Sequence, residues 1–116
     1  MQGDQVIIHI IPATEWEKVK ENHYYYPDQL KKDGFIRCAT RDQILNARNY
    51  IYKEKIDLKL LYIDTEKLSA EVVYEAEHNA GEKFPHLYGA LNLDAVIKVV
   101  DFKPNAKGEF ELPSLN

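Results

Sequence analysis

The order of apolar runs along these 116 residues predicts an α+β domain, a small curved or split β-sheet carrying two main helices. Three observations carry that prediction. Val6 to Ile11 is an aliphatic, β-branched run interrupted only by His9, the pattern of a strand buried on both faces. Two capping boxes, Thr14 with Glu17 and Thr40 with Gln43, open helical spacings in the first half. The second half is strands and turns with no Gly-rich strand-to-helix turn, which argues against a doubly wound dinucleotide fold. The length suits one domain, taken as residues 5–113.

Each element follows in order. After the first strand, Pro12-Ala13-Thr14 opens a helix that ends near Asn22, with Trp16 and Val19 as its apolar contacts. Tyr24-Tyr25-Tyr26 and Pro27 break the pattern, and Asp33-Gly34 leads into a short strand from Phe35 to Ala39. A second helix is expected from Arg41 to Lys53, where Ile44, Ala47, Arg48 and Ile51 share one face. Leu58 to Ile63 and Val72 to Tyr74 read as strands around a turn at Thr65 to Ser69. Val96 to Phe102 is another strand, and a Lys107-Gly108 turn precedes a short one from Phe110 to Leu112. Between them FPHLYGALNLDAV, residues 84–96, is too apolar for an ordinary loop and too broken for a strand. It is expected to be a cleft wall, anchored by Phe84, Leu87 and Leu91, with His86 and Tyr88 facing His9.

Composition excludes several classes of function. The net charge is −4, with 19 acidic and 15 basic residues and no dense basic block, so long nucleic acid is not an expected partner. Cys38 is the only cysteine, which rules out an internal disulfide and a cysteine-built zinc site. Glu77 and His78 follow Glu75 without metal-ligand spacing, and no metal is expected. The amino end lacks the basic start and apolar core of a signal peptide, and no run could span a bilayer as a helix. The expected setting is cytoplasmic, with no membrane partner.

Candidate chemistry falls on a few polar residues in apolar surroundings. His9 inside its strand needs a hydrogen-bond partner, as a satisfied core histidine or as a group meeting a ligand. Arg37 alternates with Ile36 and Cys38, and serves either as a solvent-facing cation or as a fixed one for phosphate or carboxylate. Cys38 reads as a packed thiol. Glu75 closes VVYE, where strand ends carry glutamates routinely. His23 at a helix end suits the helix dipole. His86 and Tyr88, two residues apart, point the same way if the chain is extended, and Gly89 permits an unusual backbone angle.

The segments IIHII, DGFIRCAT preceded by Tyr26, and VVYEAEHNAGEKFPHLYGALNLDAV together resemble the bacterial family called domain of unknown function 952, from about Val6 to Leu112. That family is grouped with the ADP-ribosyltransferase superfamily, so the resemblance implies an ADP-ribosyltransferase-like fold. It also implies binding of NAD or a related nucleotide, with transferase or NAD glycohydrolase activity. By the same resemblance His9 looks like the first-strand histidine set against the nicotinamide ribose. Glu75 would be the later carboxylate, and Tyr88 or one of Tyr24 to Tyr26 the aromatic on the nicotinamide. Catalytic candidates are then His9, Glu75 and His86; substrate-binding candidates are Arg37, Thr40, Tyr88 and Gly89. Arg37 or His86 would hold a phosphate, NAD would be substrate rather than resident cofactor, and a protein could be the acceptor. The sequence departs from the family pattern at Arg37 for histidine, Ala39 for serine and Ala90 for proline. Those changes put an acid–base role at position 37 in doubt and leave anion binding intact. The competing expectation is a non-catalytic module that binds a small ligand or a protein on the same fold.

Overall fold

The computed structural model describes residues 5–51, 57–76 and 81–112. β1 (Val6–Pro12) leads into α1 (Ala13–Val19), β2 (Tyr24–Tyr25), α2 (Asp28–Asp33) and β3 (Ile36–Arg37). A 3-10 turn at Arg41–Gln43 runs into α3 (Ile44–Ile51). β4 (Leu58–Asp64), β5 (Glu71–Ala76), β6 (Lys83–Tyr88), β7 (Leu91–Asn92) and β8 (Val96–Phe102) complete the order. The strands form three small sheets, β1-β4-β8, β2-β7 and β3-β6-β5, with antiparallel pairing throughout. Among the described residues the architecture is therefore α+β with a split sheet, and it carries three helices rather than two.

β1 is buried on both sides, as its unbroken aliphatic run requires. Ile7 and Ile11 face a core with Ile36, Leu61 and Leu87, while Ile8 and Ile10 face another with Ile44, Leu60 and Phe84. Each such side chain stabilises the fold by roughly 1.5–3 kcal/mol relative to exposure. β1 therefore belongs to both cores, and nothing polar but His9 interrupts it.

The sheets join at β3. It pairs with β6 at Ile36↔Leu87 and Arg37↔His86, and then departs. Pro85 explains the departure. Its carbonyl accepts the Cys38 N–H at 2.9 Å, but on that same edge proline has no N–H to return. Released from β6, the chain bridges to β1 instead, with Ile8 N–H to Ala39 O at 2.8 Å and Ala39 N–H to Ile8 O at 2.7 Å. FPHLYG, expected to be irregular, is thus mostly strand, and its proline is the point where a neighbouring strand changes sheets.

Other expectations are corrected locally. The box of Thr14 with Glu17 does not form, because the helix begins at Ala13 with Pro12 as its cap and Thr14 already lies inside it. The box at Thr40 does form, Gln43 Oε1 accepting the Thr40 N–H at 3.0 Å. The helix expected to reach Lys53 is described to Ile51, and Lys53 lies outside the described residues. Phe110 to Leu112 is not a strand; Phe110 instead packs on Phe102 and under the Arg48 guanidinium, 3.8 Å from the ring centroid. Anchoring by Phe84, Leu87 and Leu91 holds, with Phe84 in one core and both leucines in the other.

Gly89 serves packing. At φ +155° a Cβ built there would meet the Ala70 Cβ at 2.7 Å, closer than side chains tolerate. Gly89→Ala should lower stability by about 1–3 kcal/mol in urea denaturation, the usual range for overpacking. Ala70→Gly in the same chain should recover part of that loss, and simple additivity of the two substitutions would show that the contact is not the cause.

Candidate functional site

His9 stands on β1 with its ring against Tyr25, 5.8 Å between centroids, and is almost wholly buried. Its Nδ1 lies 2.8 Å from the Arg37 carbonyl oxygen. A carbonyl only accepts, so Nδ1 carries the proton and donates it, and Nε2 keeps a lone pair. Burial pushes the imidazole below its ordinary pKa, against the opposing pull of the Arg37 carbonyl and Glu15, so the ring is neutral around pH 7. His9 lines a cleft of about 190 Å³ with Pro12, Glu15, Tyr25, Pro27, Asp28 and Gln29. The Tyr25 hydroxyl donates to Glu15 Oε2, tying β2 to α1 across that cleft. A larger lobe of about 480 Å³ shares five of those residues and adds Lys18, Tyr24 and Tyr26.

The second group lies on the β3-β6-β5 sheet. Register places Glu71, Val73 and Glu75 of β5 opposite Tyr88, His86 and Phe84 of β6, so one face carries all six side chains. His86 is fully buried and stacks on Phe35, ring centroids 3.9 Å apart and planes 9° apart. Its Nδ1 donates to Glu75 Oε1 at 2.8 Å, and the Tyr88 hydroxyl donates to the same oxygen at 2.5 Å. The Tyr88 and His86 hydrogen bonds hold the Glu75 carboxyl below its ordinary pKa, while Glu75 raises that of the Tyr88 phenol. This is an ionised carboxylate held by two donors on one of its oxygens.

Arg37 lies between the groups. Its peptide presents one edge to His9 and Gln29, and its Cα is the register partner of His86. His86, Tyr88 and Glu75 are brought together, whereas His9 belongs to the cleft on the other side of β3. Thr40 is spent on its capping box and Gly89 on the approach to Ala70. Burial pushes the Cys38 thiol up to about 12, so it is packing material rather than a nucleophile. Glu77 and His78 lie outside the described residues. Among the described residues no group of three or more His, Cys, Asp or Glu side chains is placed to hold a metal ion, and no helix is long and apolar enough to cross a membrane.

Two residues that order this region carry weak signals in the sequence. Gln29, on the unexpected helix α2, accepts the Arg37 N–H through Oε1 at 2.9 Å. Asn92 is buried with every contact satisfied locally, donating to Lys67 O and Asp94 Oδ1 and accepting the Ser69 N–H. Of the two, Asn92 could have been flagged as a polar residue inside LNLDAV, and Gln29 only as a helix former after Pro27-Asp28.

Comparison with known proteins decides the family. Residues 10–99 match the model of the family described as "Protein of unknown function (DUF952)". The chain belongs to this family. Among solved structures, the crystal structure of CC0527 from Caulobacter crescentus is 28% identical with a TM-score of 0.75, covering 92% of this chain and 94% of that one. A double-mutant form of CC0527 gives 26% identity and a TM-score of 0.76 over the same shares of the two chains. The solution structure of CC0527 is 26% identical with a TM-score of 0.74, covering 90% of each chain. No curated protein matches the sequence. The fold of this DUF952 chain is thus shared with solved relatives along nearly its whole length.

Two measurements test the electrostatics of this DUF952 chain. A carboxyl with a depressed folded pKa contributes stability above its unfolded pKa, and that contribution disappears as pH falls through the folded value. Glu75→Gln should therefore be less stable than wild type at neutral pH, with the gap closing as pH drops below the ordinary carboxyl value of 4.5. Urea midpoints across that range read it directly, and a pH-independent gap would assign the effect to packing. Cys38 should resist thiol reagents in the native protein and react fully once unfolded; rapid native labelling would contradict its burial.

Proposed function

We propose that this domain binds NAD or a related nucleotide in the cleft beside His9, as an ADP-ribosyltransferase-like protein of the reducing cytoplasm. One observation carries the reading. The Arg37 carbonyl fixes the His9 proton on Nδ1, which leaves the Nε2 lone pair on the wall of a cleft flanked by tyrosines. A neutral imidazole held in one tautomer suits the hydroxyl of a ribose, which donates a hydrogen bond to it. Tyr24 and Tyr26, exposed and 6.3 Å apart, offer faces to a planar ring in the adjoining lobe.

The chemistry proposed is cleavage of the nicotinamide–ribose bond. Nicotinamide leaves with the bonding pair, and an oxocarbenium-like ribose develops positive charge that a preorganised carboxylate stabilises. Glu15, on the wall of the cleft, is the carboxylate placed for that role, because Glu75, the candidate by resemblance, lies with Tyr88 and His86 on the other side of β3. Water as the acceptor gives a glycohydrolase, and a protein side chain gives a transferase. A non-catalytic binder is the second reading, and a specific observation favours it: the carboxylate that the resemblance implies, Glu75, is held by His86 and Tyr88 on the other side of β3 from the cleft.

Ligand screening by thermal shift with NAD, ADP-ribose, other nucleotides and phosphosugars tests the reading. At a hundredfold excess over its dissociation constant, a ligand adds about 2.7 kcal/mol of stability. His9→Asn keeps a donor for the Arg37 carbonyl but lacks the Nε2 acceptor, so it should fold and lose most of the NAD-dependent shift. His9→Gln should do the reverse, retaining an acceptor in the cleft while orphaning the Arg37 carbonyl, at a cost of about 1–3 kcal/mol. Release of nicotinamide by wild type and not by Glu15→Gln would separate enzyme from binder, and no shift with any nucleotide would remove the proposal.

A further inference from the structure

The sheet edges of this domain are closed in different ways. β3 is closed by the Gln29 and His9 side chains, and β1 by its bridge to Ala39. β2 and β7, at two residues each, are too short to template another strand. β8 carries Lys98 and an extra residue, Ile97, where its register with β4 shifts, two devices that hinder further pairing. β5 has neither a lysine nor a shift. It is the outer strand of β3-β6-β5, and its register with β6 runs unbroken from Glu71 to Ala76. Among the described residues no strand lies beyond it. Its sequence, EVVYEA, is rich in residues that favour extended chain.

The side chains define what would pair there. Glu71 and Glu75 share one face of β5, with Tyr88 across from Glu71 and hydrogen-bonded to Glu75. Arg37 lies on that face too, but two strands away from β5, beyond His86. Val72 and Tyr74 alternate on the other face, Val72 packed against the core. A second copy of β5 is a poor match. Antiparallel pairing centred on Val73 would set Glu71 against Glu75 of the other copy twice, and like charges directly opposite are destabilising. Cationic side chains at those places reverse the sign of the interaction. We infer that the β5 edge accepts an extended basic segment of a partner protein by strand addition, with lysine or arginine facing Glu71 and Glu75. Main-chain hydrogen bonds supply the attachment, and apolar residues at the alternate positions extend the face of Val72 and Tyr74. The exposed Tyr88 ring beside both carboxylates offers its face to the same cations. This edge belongs to a different sheet from His9, so the inference stands apart from the nucleotide reading.

Short peptides test this on the whole chain. The acetylated and amidated peptide TKVTVKT puts two lysines on one face of an extended chain and two valines on the other, and TEVTVET changes only the charges. Each is titrated into the isotope-labelled protein by NMR. The lysine peptide should bind at least about tenfold more tightly, because like charges brought together suppress the wrong partner. Its shift changes should centre on Glu71 to Ala76 and leave His9 and Tyr25 unmoved. Glu71→Gln, an exposed substitution, should weaken the lysine peptide severalfold and leave the fold intact. Backbone pairing is read separately, by methylating the peptide nitrogens on alternate residues. Only one alternate set can face β5, so one set should abolish binding and the other should spare it. Equal affinity for the two peptides, or no binding of the lysine peptide at about 1 mM, would overturn the inference. So would indifference to both methylated sets, which would leave charge attraction alone, or shifts centred away from β5 and β6.

Discussion

The peptide of Arg37 is the constraint on which the rest of the structure depends. One edge of β3 is paired with β6, and the other would leave a buried N–H and C=O without partners. Each would cost about 1–3 kcal/mol if unsatisfied. Gln29 accepts the N–H and His9 donates to the carbonyl, so two side chains do the work of a missing strand. Because α2 supplies one partner and β1 the other, closing this edge also fixes where those elements sit.

That closure explains why a histidine can occupy an aliphatic strand. His9 would be costly between Ile8 and Ile10 if both nitrogens needed partners, but Nδ1 is satisfied by the seam and Nε2 opens on a cleft. The structural and ligand-meeting readings of this residue use different nitrogens and do not compete. On the far side of β3 the same economy governs His86, whose Nδ1 is committed to Glu75 while its ring packs on Phe35. The two histidines sit on different sheets, tied through one dipeptide of β3 and the bridge from Ala39 to Ile8.

Much of this was legible in the residues where local pattern and tertiary role coincide. Val6 to Ile11 reads as a doubly buried strand because burial on both faces leaves no place for alternation. The Thr40 box reads as a helix start because its hydrogen bonds are local. β2, with two residues, has no period to detect and exists only because Leu91 and Asn92 pair with it. α2, at six residues, is too short to be stable alone and is held by the Gln29 contact. Pro85 misleads in the other direction, since a proline argues against a central strand unless the neighbour leaves at that point. The grouping of Glu75 with His86 and Tyr88 follows from register, and register between distant strands is not written in either one.

Position 37 shows how the seam bears on variation within the family. By resemblance a histidine commonly stands there, and this chain has arginine. The bonds that hold β1, α2 and β3 together use the backbone of residue 37, which any residue other than proline supplies in full. Substituting the side chain therefore leaves the His9 tautomer untouched while changing what the surface beside it offers. The guanidinium does alter His9 in one respect, since its charge lowers the imidazole pKa further after burial has lowered it. A permanent cation at this place keeps His9 neutral over a wider range of pH than a histidine that loses its charge near neutrality. The exchange thus keeps the Nε2 lone pair free of a proton over more of the pH range.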